Sequence, residues 1–391
     1  MSRCFKLALL CLVLLLLPAC GLLEEQQQRG QEVIVAVIAP LDGDFAPWGQ
    51  AVRNGVMLAV EGWNQRGGVL GRSIQVTSHD SECDFTEARK VAEEAIREGA
   101  QFIIGAVCGE ASRGVAQIAT QFNVVQIAPT SVDPQTTLFL DRSVRPLVFR
   151  VPFLDADQGE TAARFALENL NVKTAAILYA ENSGYGLALA EAFQQTFTAG
   201  GGEILVRKTY NQDDDNFFNV LEEVRAANPA VLYLPGYYNG MNRLVPQARA
   251  FGMFQPLIGS DGWDSPELDF AATDGAYFTT HYFPDEPRPE VAAWKALYAA
   301  RYLAEPDAVA TLSYDAANIL FTAITAAGTT APFPVADALE TLTFEAVSGQ
   351  LTFDDSHNPI KGVLMVRVLN GRVIYVDRLM PHNETPSGLL P

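Results

Sequence analysis

The sequence is poor in the residues that most often carry out catalysis or bind metals. It has four histidines, His79, His281, His357 and His382, and they lack the spacing of a metal site. It contains no Gly-x-Ser-x-Gly elbow, no P-loop, and no Gly-x-Gly-x-x-Gly after its first predicted strand. We therefore predict that the protein is not an enzyme, and we predict no cofactor and no metal.

Positive charge is also scarce. The 391 residues include 27 Lys and Arg against 46 Asp and Glu, which gives a net charge of −19. This balance argues against nucleic acid as a partner and against adsorption to anionic lipid. The apolar content of 49% is that of a globular protein, and the length suffices for two ordinary domains.

The N-terminus carries a short hydrophobic run. Arg3 and Lys6 precede the apolar residues 7–17, which are too few to span a bilayer but fit an export signal, so residues 1–19 are predicted to be a signal peptide. The following Leu-Pro-Ala-Cys-Gly resembles the lipobox of bacterial lipoproteins, in which the cysteine, here Cys20, is acylated. The alternative is a plain signal peptide with an incidental cysteine. Residues 20–31 are polar and are predicted to be a lipid-anchored tether.

Only five cysteines occur in the chain. Cys4 and Cys11 leave with the signal, and Cys20 would carry the lipid. Cys83 and Cys108 remain, and two such cysteines in an exported protein are paired more often than they bind metal. The predicted location is extracytoplasmic, either lipid-anchored at the cell membrane or in the periplasm, with membrane contact through the anchor only.

The fold is predicted to start from a strand, a loop and a helix. Residues 33–39 form a continuous apolar, β-branched run, which suits a parallel strand buried on both faces. Residues 40–47 are a loop, and residues 48–66 an amphipathic helix that Gly67 and Gly68 end. This order puts the loop at the carboxyl end of a parallel strand, where open α/β sheets bind ligands.

Strand and helix patterns then alternate through both halves of the chain. In the first half, strands are predicted at 73–79, 101–104 and 124–128, and helices at 84–98 and 111–122. In the second half, strands are predicted at 174–179, 203–210, 230–234 and 256–259, and helices at 185–198, 217–227 and 241–251. Such alternation requires parallel βαβ units, so the predicted fold is α/β with two doubly wound parallel-sheet lobes.

The remaining residues are predicted to complete these two lobes and not to form a third domain. The helices at 291–303 and 311–327 are assigned to the first lobe, and a final hairpin at 363–378 to the second. The predicted boundaries are 32–152 plus 283–354 for lobe 1, 153–282 plus 355–383 for lobe 2, and 384–391 for a flexible tail. Three hinge strands are predicted to cross near 151–155, 279–284 and 353–359.

The carboxyl ends of both sheets are predicted to line a common cleft. Its candidate side chains are aromatic, hydroxylated or acidic: Trp48, Tyr185, Tyr237, Ser112, Thr130, Ser131 and Asp261. Helix N-termini for an anion and a carboxylate for a cation can bind both charges of a small zwitterion. Two alternatives are that Trp48 is a core residue and that Asp261, which precedes a glycine, is a turn residue. The acidic run 213–215 lacks the glycine and glutamate of a calcium loop and is interpreted as a solvated turn.

Several short motifs, taken in order, resemble the leucine/isoleucine/valine-binding protein family of type I periplasmic binding proteins. The matching runs are 46–49 (APWG), 64–71 (NQRGGVLG), 80–84 (DSECD), 102–108 (FIIGAVC), 155–159 (DADQG), 184–186 (GYG), 236–237 (GY) and 259–262 (GSDG). The resemblance covers about residues 33–378. It implies a two-lobed, hinged receptor that closes on a small ligand and delivers it to the permease subunits of an ABC transporter.

The resemblance also implies roles for individual residues. It places the family's first-lobe disulfide on Cys83 and Cys108. The tyrosines that form the walls of the family's ligand site correspond to Tyr185 and Tyr237. The aromatic residue that contacts the ligand's side chain corresponds to Trp48, and the acid that binds the ligand's ammonium group corresponds to Asp261.

The anion side of the predicted site departs from the family pattern. Gly109, followed by Glu110, stands where the family often has a serine, and Val132 stands where the family has a hydroxyl. Thr130 and Ser131 keep hydroxyls nearby, and Ser112 is a candidate replacement for the serine. Each lost donor costs about 1–3 kcal/mol if the ligand still needs it. The expected ligand is therefore an amino acid or a related solute, with aromatic acids, amides and urea-like compounds left open.

Two functions on this fold remain as hypotheses. The first is a solute-binding protein that captures its ligand by hinge closure and delivers it to an ABC importer. The alternative is a ligand-sensing regulatory protein of the amide or urea type.

Overall fold

A computed structural model describes residues 32–380 and consists of two large sheets with helices on their faces. The predicted signal peptide, Cys20, the tether and the tail at 384–391 lie outside the described residues. The first sheet has five parallel strands in the order β2-β1-β3-β4-β5, a doubly wound arrangement. Its strands are β1 (Glu32–Ala39), β2 (Ser73–Asp80), β3 (Phe102–Gly105), β4 (Val125–Ala128) and β5 (Val148–Arg150).

Three helices cover the first sheet: α1 (Ala46–Gln65), α2 (Phe85–Arg97) and α3 (Gly109–Phe122). The Asp84 carboxylate starts α2 because it accepts hydrogen bonds from the amides of Thr86 and Glu87 at 2.7 and 2.9 Å. α1 ends as predicted, with Gly67 at a φ of 99°, where a glycine meets no steric penalty. The helices therefore begin and end where the sequence provides a cap or a glycine.

The second sheet has seven strands in the order β15-β14-β10-β9-β8-β6-β7. Five are parallel: β6 (Thr174–Ala180), β7 (Glu203–Tyr210), β8 (Val231–Tyr233), β9 (Leu257–Gly259) and β10 (Tyr277–Thr280). The antiparallel hairpin of β14 (Val363–Leu369) and β15 (Arg372–Leu379) extends one edge. Its helices are α4 (Asp155–Arg164), α5 (Gly184–Ala199), α6 (Phe218–Ala227) and α7 (Tyr238–Ala250).

The segment between β10 and β14 packs back onto the first sheet. It contains α8 (Pro289–Tyr302), α9 (Ala308–Ala327), α10 (Pro332–Thr341) and a small antiparallel sheet of β11 (Phe344–Ala346), β12 (Gly349–Phe353) and β13 (Pro359–Lys361). Phe321 and Phe353 lie in one hydrophobic core with Val35 and Phe102 of the first sheet. The core of the first lobe thus joins segments from distant parts of the chain.

Residues 359–361, assigned from the sequence to lobe 2, pair with the small sheet, where Lys361 pairs with Leu351. The Asp354 carboxylate accepts from the amides of Ser356 and Asn358, and this tight turn sends the chain back as β13. The chain next joins the second sheet at β14. The lobe boundaries stay predictions.

The predicted disulfide is confirmed. Cys83 and Cys108 are bonded with their Cα atoms 5.4 Å apart. The bond ties the turn after β2 to the residue that precedes α3. On the chain-entropy estimate such a bond contributes roughly 3 kcal/mol to stability.

A buried ion pair lies where the chain crosses between the sheets. The Arg378 guanidinium donates from Nε and Nη2 to the two oxygens of Glu286 at 2.8 and 2.7 Å. Its Nη1 donates to the carbonyls of Ser348 and Gly362 at 2.6 and 2.8 Å. Beside it, Lys361 is buried and donates to the Ser348 hydroxyl at 2.9 Å, and burial lowers the pKa of Lys361 to about 7. One arginine therefore connects three segments near the crossings.

In the described part of the chain, no single helix meets the length and hydropathy expected of a membrane span. Helices α9 and α10 meet the length and hydropathy criteria only when the two are counted as one span, although they are bent by 109° relative to each other.

Candidate functional site

Asp261 lies at the carboxyl end of the second sheet, directly after β9 and Ser260. Its carboxylate accepts a hydrogen bond from the Tyr185 hydroxyl, which also lies 2.8 Å from Ser260 Oγ. The amide of Gly262 donates to the same Tyr185 oxygen at 3.1 Å. The side chain of Asp261 remains 26% exposed.

His281 lies on the other side of the same carboxylate. Its Nε2 is 3.3 Å from Asp261 Oδ2, and its ring stacks on Phe153 with 3.7 Å between centroids. Burial lowers the pKa of His281, and this outweighs the attraction of Asp261, so the ring is neutral at pH 7. Burial opposes ionisation of Asp261 as well, but the hydrogen bonds from His281 and Tyr185 hold the pKa of Asp261 below its ordinary value. The site therefore presents an ionised carboxylate.

A second carboxyl group, that of Asp155, lies near Asp261 at the start of α4. Burial, followed by the charges of Asp261 and Asp157, raises the pKa of Asp155 to about 8. Gln158, on the same helix as Asp155, holds the backbone of Asp261: its Oε1 accepts from the Asp261 amide at 3.1 Å and from the Thr279 hydroxyl at 2.7 Å. The two carboxyl groups are close enough for their charges to interact, which favours a cation beside them when both are ionised.

Aromatic rings occupy the predicted cleft positions of both lobes. Tyr185 and Tyr237 stack with their centroids 5.1 Å apart, and Tyr237 is 50% exposed. On the first lobe Trp48 is 48% exposed and stacks on Phe45 at 5.3 Å. Trp48 is therefore not a core residue, which excludes that alternative. Exposed aromatic faces of this kind can contact an apolar body or a cation.

The three predicted hydroxyls of the first lobe have partners inside the protein. Ser112 is fully buried, and its hydroxyl donates to the Ala106 carbonyl at 2.9 Å. Thr130 donates to the Val107 carbonyl at 3.0 Å. Ser131 Oγ lies 2.9 Å from Thr136 Oγ1 and is buried. Ser112, the candidate replacement for the missing serine, is therefore bonded within its own lobe in this conformation, and Thr130 and Ser131 stabilise their own loop.

Gly109, the first residue of α3, lies against an acidic side chain. A Cβ placed on Gly109 would lie 3.1 Å from Asp133 Cβ and 3.6 Å from Asp133 Oδ2. Asp133 accepts from the Gln135 amide at 2.8 Å and lies 3.8 Å from Arg113. A carboxylate thus lies beside the position where the family resemblance placed a serine.

The acidic run 213–215 behaves as a turn, as predicted. Asp214 accepts from the Asn211 amide at 3.0 Å, and Asp215 lies 3.4 Å from Arg243. Within residues 32–380, no group of three or more histidine, cysteine, aspartate or glutamate side chains could hold a metal ion.

Several residues of the site were not named as ligand-binding residues from the sequence. Asp155 and His281 lie in the segments predicted only as hinge crossings, and Gln158 lies in α4, within a motif noted at the start of the second lobe. Asp133 ends a loop, 129–133, that was predicted to line the cleft, but no role was given to its side chain. His281 follows a four-residue strand, too short to give a periodic signal.

Comparisons with known proteins concern nearly the whole described chain. A family profile described as periplasmic binding protein matches residues 32–372. The leucine-, isoleucine-, valine-, threonine-, and alanine-binding protein of Pseudomonas aeruginosa is 29% identical over 324 residues, 82% of this chain and 85% of that protein. A leucine binding protein from Thermotoga maritima superposes with a TM-score of 0.72 at 32% identity, covering 89% of this chain and 99% of the other. A solute binding protein from R. palustris in complex with benzoate gives a TM-score of 0.70 at 25% identity, covering 90% and 97%.

Proposed function

The chain belongs to the periplasmic binding protein family, and from that premise we propose that it captures a small amino acid or related polar solute and delivers it to an ABC importer. The predicted family and the two-lobed α/β fold are confirmed. Members of this family are substrate-binding proteins of transporters, located outside the cytoplasm. The sensing alternative is not favoured, because the similar proteins are named for binding and transport.

The position and hydrogen bonds of the Asp261 carboxylate are the observation that carries this function. The carboxylate is oriented by Tyr185 and His281 but remains partly exposed, in the position that suits the ammonium group of a ligand. Trp48 on the other lobe and Tyr237 beside Asp261 are each about half exposed, so closure of the lobes would cover them. The ligand would be held without covalent chemistry, and we propose that the protein has no enzymatic activity.

We further propose the anchor and the partners that the sequence predicts. Cys20 would carry the lipid, and residues 20–31 would let the receptor reach the permease subunits of its transporter. The lobes would be those predicted, with the third crossing moved to the start of β14. The membrane would be contacted through the anchor alone.

A ligand screen tests this function. We expect a subset of amino acids, amino amides or small amines to raise the melting temperature, because a ligand that binds only the folded state stabilises it by mass action. The same compounds should decrease the radius of gyration in small-angle X-ray scattering as the lobes close. Saturating ligands that leave the radius of gyration unchanged would contradict capture by hinge closure.

The raised pKa of Asp155 predicts how binding depends on pH. With a pKa of about 8, this carboxyl is mainly protonated at pH 7 and ionises as the pH rises, which adds negative charge beside Asp261. We expect the affinity for a ligand that carries an ammonium group to rise as the pH is raised through about 8. Binding near this pH should release a proton, measured by calorimetry in buffers of different ionisation enthalpy.

The Asp155→Asn variant is the control for this dependence. It should remove both the proton release and the rise in affinity. Asp264 does not interfere, because burial raises its pKa only to about 6 and it titrates below this range. Unchanged proton release in Asp155→Asn would assign the titration to another group.

A further inference from the structure

On the first-lobe side of the proposed cleft, the predicted hydroxyls are already bonded inside the protein. Ser112, Thr130 and Ser131 all have partners within their own lobe. Turning Ser112 or Thr130 toward a ligand would break an existing hydrogen bond, and for the buried Ser112 it would leave the Ala106 carbonyl without that donor. The donors that remain are the backbone amides at the start of α3 and the Arg113 guanidinium, whose side chain is 27% exposed.

Those amides lie beside negative charge. Asp133 packs against Gly109, so that even the Cβ of a serine at position 109 would come within 3.6 Å of Asp133 Oδ2. Glu110 is the second residue of α3, and its side chain is 73% exposed. Arg113 lies 3.9 Å from Glu110 and 3.8 Å from Asp133. Arg113 is thus shared between two carboxylates, and the buried Arg150 is also attracted to Asp133, yet the atoms nearest to position 109 are those of the Asp133 side chain.

The second lobe adds further negative charge on its side of the cleft. Asp261 is ionised and partly exposed. Asp155 lies close enough that the two carboxyl groups repel each other when both are ionised. A carboxylate on each wall, Asp133 on one and Asp261 on the other, attracts a cation and repels an anion close to it, and this effect grows as closure excludes water.

Resting on the proposed function, we propose that the ligand is an organic cation that carries an ammonium group and an apolar or aromatic body but no free carboxylate. The ammonium group is bound by Asp261, and the body lies against Tyr185 and Tyr237 on one side and Trp48 on the other. Asp133 excludes the carboxylate of an ordinary amino acid. Amines and amino amides satisfy this description, whereas free amino acids do not.

Two matched sets of compounds test this ligand class. The first is leucine, leucinamide and 3-methylbutylamine, and the second is phenylalanine, phenylalaninamide and 2-phenylethylamine. Each set keeps one apolar body and one ammonium group while the carboxylate is retained, neutralised or removed. By calorimetry at pH 7 we expect the amide or the amine of at least one set to bind at least about tenfold more tightly than its amino acid.

The Asp133→Asn variant tests the proposed cause of the discrimination. Asparagine can still accept from the Gln135 amide through Oδ1, so the loop keeps its hydrogen bond while its charge is removed. We expect this variant to bind the amino acid about tenfold more tightly and to change its affinity for the amine less than about threefold. The matched control Asp337→Asn, at an exposed position of α10, should change neither affinity.

The outcomes separate this inference from the proposed function. Leucine or phenylalanine that binds more tightly than its amide and amine, with closure of the lobes, would overturn the ligand class and leave the receptor function intact. If Asp133→Asn prefers the amine over the amino acid by the same factor as the unaltered protein does, the role of Asp133 is overturned. Failure of all six compounds to bind would overturn the ligand class, and if the wider screen also found no ligand, the receptor function would fall with it.

Discussion

The Asp261→Asn variant is expected to lose about 100-fold in affinity for any ligand that binds through an ammonium group, because the change removes a negative charge but preserves the shape of the side chain. Hydrogen bonds between charged groups contribute about 1.5–3 kcal/mol, and a charge pair covered by lobe closure contributes more, about 2–5 kcal/mol. Calorimetric titration with the tightest ligand of the screen measures the effect.

Two controls make this result specific to the charge of Asp261. The substituted asparagine can still accept from Tyr185 through Oδ1, and its Nδ2 can donate to His281 Nε2 when the imidazole carries its proton on Nδ1, so the melting temperature of the ligand-free variant should change little. Asp337→Asn removes the same charge from an exposed helix position and should leave the affinity unchanged. An affinity close to that of the unaltered protein would show that Asp261 does not bind the ammonium group.

The Glu286→Gln variant is expected to lose about 3–5 kcal/mol of unfolding free energy, because it leaves the buried Arg378 without its counter-ion. The side chains of Arg378 and Glu286 are 13% and 2% exposed, and two parallel hydrogen bonds join them. The guanidinium would keep the carbonyls of Ser348 and Gly362 as acceptors but lose the carboxylate charge that offsets its burial.

Glu290→Gln is the matched control for this prediction. Glu290 lies 3.5 Å from Arg288, and its side chain is 42% exposed, so its ion pair is solvated. Such a pair contributes about 0–1 kcal/mol. Urea unfolding of both variants without ligand provides the comparison. Equal losses in the two variants would mean that the buried pair at the crossings stabilises the fold no more than a surface pair does.

Much of the fold could be predicted because local sequence patterns decide it. The apolar run of β1, the Asp84 cap of α2 and the glycines after α1 each fix an element through neighbouring residues. The pairing of Cys83 with Cys108 followed from the scarcity of other cysteines together with the resemblance. Even the position of Asp261 followed from the rule that ligand loops lie at the carboxyl ends of parallel strands.

The elements at the crossings could not be predicted in the same way. β5 and β10 have three and four residues, so they carry no periodic pattern. The turn at 354–358 has the polar composition of a linker, yet the carboxylate of Asp354 folds it into a hairpin. Its direction depends on hydrogen bonds that composition does not reveal.

By itself, the sequence determined that the protein has two doubly wound lobes and a disulfide, and it predicted a cleft lined by Trp48, Tyr185, Tyr237 and Asp261. Only the tertiary structure decided the charge of that cleft. It turned the hydroxyls of Ser112, Thr130 and Ser131 inward, placed Asp133 against Gly109, and brought Asp155 and His281 to Asp261. The physical reason is that side-chain orientation and pKa depend on neighbours far apart in sequence, whereas strands and helices depend on neighbours close by.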